Sequence, residues 1–488
     1  MSDVLNMTQR RGHFLHGLMV LLAAGLLLAA AWFANPSEAS AAGGYEPSTW
    51  AKDEVEKAYD SGLVPHSLMS DYQKPITRAE MSRVIVRLYE KLTGDSAPAP
   101  ASNPFRDTKD ESVLKAYELG IVKGTSANTF SPDAPITREQ IAVMLMNTLE
   151  KAGYGDKLPN EGAPVFADEA EIAGYAKTSV QKLSAARILQ GSETKDGLLF
   201  QPKATASREQ IFVLAYRVAD QYAPLIVRSE RELLEAVTRP DKTMIIRDER
   251  TRQIYDRAVE IVSEIITPDM NEFERELAIH DYIVLNTEYD YENYLANTIP
   301  SDSYSAYGVF FKGTAVCQGY AHAAHLMLWL SGIESHIVSG TARGNSHAWN
   351  KVKIGGEYYN LDVTWDDPVP DKPGRVMYSY FNITDEELAR DHKWDRSNWP
   401  AATAKEYDYF EYMGLAVHSR EELKERISNA IASRDTSKIM FKAVYTDDYH
   451  KVIEDIGSFI MGAYGLTGYE YYYYRDQLVF ELYLKFGG

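Results

Sequence analysis

At 488 residues, 45% of them apolar and 25% charged, the chain has a globular composition and is too long for a single core, so two to four domains are expected. A formal net charge of −19 speaks against nucleic acid or an anionic membrane as a general partner. The single cysteine, Cys317, excludes an internal disulfide.

In chain order, residues 1–42 read as a signal peptide. Arg10 and Arg11 supply the positive start, Gly17 to Ala34 is apolar, and Ala39-Ser-Ala41 or Ser40-Ala-Ala42 offers small residues for cleavage. The apolar stretch sits near the lower limit for spanning a bilayer, which leaves an uncleaved anchor as the lesser reading. The mature protein is expected outside the cell membrane, and with its cysteine unpaired the thiol is either a small buried residue or a reactive group.

The next segment repeats itself. Lys74-Pro-Ile-Thr-Arg-Ala-Glu80 recurs as Ala134-Pro-Ile-Thr-Arg-Glu-Gln140 and as Ala204-Thr-Ala-Ser-Arg-Glu-Gln210. In each copy a Thr or Ser (Thr77, Thr137, Ser207) precedes a Glu or Gln by three residues (Glu80, Gln140, Gln210), the pattern of a capping box opening a helix. Apolar helical runs follow at Met81 to Leu92, Ile141 to Leu149 and Ile211 to Val218. An amphipathic helix precedes each box, starting at Val55, Val113 and Val180, and the second and third copies share Phe105-Arg-Asp and Phe166-Ala-Asp near their starts. Such recurrence marks an internal repeat. These motifs resemble the S-layer homology module, in units at 46–94, 103–153 and 164–220. The resemblance implies an α-rich prism that holds secondary cell-wall polysaccharide. It also implies that Arg78, Arg138 and Arg208, each at a helix start, grip that polymer's anionic groups.

From about Ser229 long charged helices take over. Cys317 to Leu330 reads as one helix stopped by Gly332, which places the thiol at a helix N-terminus, where unpaired N–H groups and the dipole favour a thiolate. Two strands follow, His347 to Ile354 and Glu357 to Thr364, flanking the turn Gly355-Gly356. That turn sets Ile354 opposite Glu357, and continuing the register puts Asp362 opposite Trp349 and on the same face as His347. The two are then diagonal neighbours roughly 7–8 Å apart at the backbone, within side-chain reach of each other. A carboxylate so placed holds an imidazole in one tautomer.

The segments Gly313-Thr-Ala-Val-Cys-Gln-Gly-Tyr-Ala, His347-Ala-Trp-Asn and Tyr358-Tyr-Asn-Leu-Asp-Val-Thr-Trp-Asp-Asp-Pro368 resemble the transglutaminase-like superfamily of papain-type thiol enzymes. The resemblance implies an α+β catalytic domain over 229–405, with Cys317 as nucleophile, His347 as general base and acid, and Asp362 as the orienting carboxylate. An amide or peptide acyl group would pass to water or to an amine without a cofactor. Catalytic loss, leaving a wall-binding scaffold, is the alternative. His322 and His325 are three apart on the helix, but no Glu or Cys completes a metal-ligand spacing, so no metal is expected. His280 and His392 read as structural. Residues 408–488 read as a small separate α/β unit with a tyrosine cluster and no recognisable chemistry. The expected whole is a multidomain wall protein: an α-rich repeat region, then an α+β thiol-enzyme domain, then the small α/β unit.

Overall fold

The computed structural model describes residues 46–195, 197–372 and 374–487; the expected signal segment lies outside the described residues. Among the described residues no helix is long and apolar enough to cross a membrane. The chain divides into two compact units, with the boundary between Leu225 and Ile226.

The first unit is a threefold arrangement of helix pairs. Short helices Lys52–Asp60, Glu111–Glu118 and Lys177–Ala185 each precede a long one, Arg78–Thr93, Arg138–Lys151 and Arg208–Tyr222. The long helices begin at the expected capping boxes: the N–H groups of Thr77, Thr137 and Ser207 donate to Glu80, Gln140 and Gln210 at 3.1, 3.2 and 3.0 Å. The free N–H groups of each helix start are used between repeats. Arg78 N donates to Ala134 O, Arg138 N to Ala204 O and Arg208 N to Lys74 O, at 3.0, 2.9 and 3.0 Å. Ala79, Glu139 and Glu209 repeat the pattern onto Pro132, Pro202 and Tyr72. The third repeat thus closes back on the first, and a single apolar core from Ala51 to Ala223 fills the ring. The Phe-x-Asp motifs are explained by the same geometry. Asp107 accepts from Phe130 N and Ser131 N, Asp168 from Phe200 N and Gln201 N, and each pins the turn before the next long helix.

Among the described residues the second unit holds two four-stranded sheets. In the first, antiparallel throughout, strands run in the order His392–Lys393, Ser335–Ala342, Asn345–Ile354, Glu357–Leu361. Helix Cys317–Leu330 packs against the two central strands, and helices Glu249–Ile265 and Glu272–Asn286 pack on that helix. The hairpin register is the expected one, Ile354 opposite Glu357 through Asn350 opposite Leu361, but the ladder ends there. Asp362 leaves the sheet, and its N–H donates to Tyr380 O at 3.1 Å. The face carrying His347 and Lys351 is also largely buried; Lys351 is fully covered and paired with Asp385 at 2.7 Å.

The second sheet has strand order Ala416–Val417, Ile439–Ala443, Val479–Phe486, Leu466–Tyr474, with helices Arg420–Ala432 and Tyr449–Ile460 over its apolar face. Its polar face is tied to the first sheet's surroundings. Buried Lys442 pairs with Asp408 at 2.6 Å and Glu387 at 2.8 Å, and Arg375 reaches Tyr474 and Glu481 at 2.6 and 3.2 Å.

Candidate active site

Cys317 is the first residue of its helix, half-buried, with Val316 as N-cap. Two features hold that start in place. Val316 N donates to Ser303 O at 2.8 Å. Gly319 lets the first turn close on the same strand of chain, because a Cβ there would lie 2.6 Å from Ser303 O and 3.0 Å from Ser305 O. One turn on, Asn350 Nδ2 donates to Ala321 O at 3.0 Å, which fixes the helix against the strand that carries His347.

His347 Nε2 lies 2.7 Å from Asp362 Oδ2, with both side chains buried. A carboxylate only accepts, so Nε2 carries the proton and Nδ1 is the nitrogen left for the thiol. The Cys317 thiol is near enough to the ring to act on its ionisation. Burial alone would lower the His347 pKa; the Asp362 carboxylate and the neighbouring thiol outweigh it and raise it to about 10. Burial opposes ionisation of Asp362, yet His347 and His392 together hold its carboxyl well below the usual range. The wall of the site is aromatic: Trp349 lies 6.0 Å from the His347 ring centroid and Trp365 5.7 Å, and the Arg343 guanidinium stands 5.0 Å over Trp365.

The structure therefore brings Cys317, His347 and Asp362 together, although Asp362 reaches His347 from a turn rather than from the paired strand position. It also adds groups the sequence reading passed over. His392, read as structural, donates to the same Asp362 Oδ2 at 3.1 Å. Its only local signal was the neighbouring Asp391, since the strand that delivers it is two residues long. The Tyr289 hydroxyl is pushed upward by burial and then by the charges of Cys317 and Asp362, and it is delivered by the parallel pairing of Glu288-Tyr289 with Thr314-Ala315. His347, Asp362 and His392 offer donor atoms within 4.8 Å of one another, and the two hydrogen bonds to Asp362 account for that convergence.

The other candidates have different partners. His322 faces Glu230 at 3.1 Å and His325 is bonded to Leu234 O at 3.1 Å, so the helix pair does not converge on one ligand point. His280 is buried between Asp281 and Asp366, at 3.0 and 3.2 Å. The three repeat arginines are engaged across the ring. Arg78 donates to Phe130 O and Lys123 O, Arg138 to Phe200 O and Gln190 O, and Arg208 to Glu80 and Ser70 O. Arg138 and Arg208 are 5% and 7% exposed. Each guanidinium is spent on the adjacent repeat and links repeats, because a first-turn arginine here points along the ring seam rather than out from it.

Comparison with known proteins gives two family matches: the transglutaminase-like superfamily over residues 259–363 and the S-layer homology domain over residues 107–142. An endoglucanase of Bacillus sp. (strain KSM-635) is 29% identical over 182 residues, covering 35% of this chain and 18% of that one. The surface-layer 125 kDa protein of Lysinibacillus sphaericus is 25% identical over 198 residues, covering 39% and 16%. The mouse kyphoscoliosis peptidase is 26% identical over 157 residues, covering 29% and 23%. The chain thus spans less than a quarter of the length of each of these relatives. Of the three repeats, only the second coincides with the S-layer homology match. One region of the chain is thus similar to the S-layer homology domain and another to the transglutaminase-like superfamily.

Proposed function

We propose that the protein is an exported, wall-attached thiol enzyme that cleaves or transfers amide acyl groups. The observation that carries this reading is the 2.7 Å His347–Asp362 bond beside a helix-start cysteine. The Cys317 sulfur, its proton passed to His347 Nδ1, attacks the acyl carbonyl, and the helix-start N–H groups stabilise the oxyanion. As the tetrahedral intermediate collapses, His347 gives its proton to the leaving amine and a thioester remains. His347 then takes a proton from water or an acceptor amine, which attacks the thioester. The acid or the new amide is released and the proton returns to the thiol. Asp362 keeps the ring oriented and balances the imidazolium throughout.

All three repeats of the first unit serve as S-layer homology modules in this reading and hold secondary cell-wall polysaccharide. The partners are that polymer and a protein or peptide substrate.

The test is alkylation of the full chain with iodoacetamide at pH 6. Cys317 should react far faster than a free thiol, and His347→Ala should abolish the excess; slow labelling indifferent to His347 would refute the enzyme reading and favour a scaffold. Comparing amine incorporation with ammonia or peptide release separates transfer from hydrolysis. For the wall, the protein should pellet with purified sacculi, and failure to pellet would overturn the anchoring role.

A further inference from the structure

Behind the His347–Asp362 pair lies a second one. His392 is 1% exposed, and its two ring nitrogens face two different carboxylates: Nε2 lies 3.1 Å from Asp362 Oδ2 and Nδ1 2.5 Å from Asp391 Oδ1. A neutral imidazole has one N–H and cannot donate to both. Two carboxylate acceptors on one ring require both nitrogens protonated, so His392 is a buried cation. The chain of bonds continues, since Tyr380 Oη donates to Asp391 Oδ2 at 2.5 Å. Asp362 is completed by Trp365 N, which donates to Oδ1 at 3.2 Å. Charges therefore alternate along one buried line: Asp391 negative, His392 positive, Asp362 negative, then His347 and Cys317.

We propose that His392 is a positioning residue for the Cys317 chemistry, a fixed imidazolium that clamps the shared oxygen of Asp362 and divides its charge between two rings. The inference rests on the proposed thiol-enzyme function and deepens it. A lone buried carboxylate 2.7 Å from His347 Nε2 would stabilise the imidazolium strongly, whereas the reaction needs the ring's Nδ1 proton released to a leaving amine. A second cation on the far side of Asp362 weakens this hold without removing the hydrogen bond. His392 touches neither the thiol nor a substrate position; it acts through Asp362. The other groups that bear on His347 are few. Asp366 lies behind Asp362 and is engaged by His280, the Tyr289 hydroxyl is neutral at working pH, and Arg343 stands over Trp365 at the exposed rim.

The experiment compares alkylation of the full chain by iodoacetate and by iodoacetamide between pH 6 and pH 10. The anionic reagent is drawn by the His347 imidazolium and the neutral one is not, so the ratio of the two rates follows the charge of His347 and cancels the thiolate fraction. In the native protein the ratio should fall towards pH 10, where His347 is about half deprotonated. His392→Gln keeps a donor to Asp362 but removes the cation. One neighbouring like charge shifts a titration by about one pH unit or more, so at pH 10 this variant should retain a ratio about twice that of the native protein. At pH 7 the two should match. Asp391→Asn, which weakens the demand for a charged His392, should shift the ratio in the same direction by less. A role confined to packing would lower both rates at every pH and leave the fall of the ratio where it was; that result, in folded His392→Gln or Asp391→Asn, overturns the assignment. If the native protein itself shows no His347-dependent preference for iodoacetate, the proposed function fails first.

Discussion

Gly319→Ala tests how closely the first turn of the cysteine helix is fitted. The added methyl would meet Ser303 O at 2.6 Å, Ser305 O at 3.0 Å and Ala315 Cβ at 3.0 Å. Ordinary carbon contacts begin near 3.4 Å, so about 0.8 Å must be found by moving the helix start or the 303–305 segment. That segment cannot retreat freely, because Ser303 O accepts from Val316 N and Ser305 Oγ is bonded to Glu230. Overpacking of this kind costs about 1–3 kcal/mol, and replacing a helical glycine by alanine returns about 1 kcal/mol. The net loss is therefore about 0–2 kcal/mol, a fall in melting temperature of at most about 8 °C for a unit of this size. The effect on chemistry should be far larger. Cys317 lies two residues away in the same turn, and a displacement approaching 1 Å costs about 100-fold in rate. The assay is the His347-dependent alkylation rate at pH 6 together with a thermal melt. A Gly319→Ala protein that melts within a few degrees of the native one and still labels at the native rate would refute the argument that this contact places the thiol.

Three further predictions follow from buried charges. Glu276 is fully buried, and burial raises its carboxyl to about 8 against the pull of Asn382 and His280. The unfolded chain gives up this proton near pH 4 and the folded one keeps it to about 8, so the group's contribution to stability falls by several kcal/mol across that window. Glu276→Gln should match the native protein at pH 5 and be clearly more stable at pH 8 in urea titrations; equal stability at both pH values would sink the claim. Lys442→Met should cost about 3–5 kcal/mol at pH 8, because Asp408 and Glu387 are left without a cation. That deficit should shrink towards pH 5 as a carboxylate protonates, and a pH-independent deficit would argue for packing instead. Arg208→Met should destabilise the first unit by about 3 kcal/mol through loss of the Glu80 pair, while Cys317 in the other compact unit should label at the native rate; a drop in labelling would contradict the independence of the two chemistries.

The candidate site was legible where local rules determine geometry. A two-residue glycine turn dictates register, so the pairing of Ile354 with Glu357 through Asn350 with Leu361 follows from the sequence alone. A helix that starts at Cys317 and ends at Leu330 follows from apolar spacing and Gly332. What local rules do not reach is what a residue meets after leaving its element. Asp362 departs from the ladder and still reaches His347, because the turn is tied to Tyr380 O, a contact 18 residues away. His392 arrives on a strand of two residues, too short to carry any alternation, and its importance comes entirely from which carboxylate it meets.

The repeat arginines show the same boundary from the other side. Thr or Ser, then Arg, then Glu or Gln three residues after the cap predicts a capped helix, and Arg78, Arg138 and Arg208 each open one. The motif is silent on where the guanidinium goes, since that depends on ring closure, a property of three repeats together. Once the ring closes, the N–H groups of Arg78, Arg138 and Arg208 are taken by the neighbouring repeat's carbonyls, and the side chains follow them into the seam. An anion approaching these helix starts therefore meets backbone N–H groups that already have carbonyl partners. In the cysteine helix Val316 N is taken by Ser303 O and Gly319 N by Val316 O, so among the described residues it is the N–H groups of Cys317 and Gln318 that the proposed reading assigns to charge developing on a substrate.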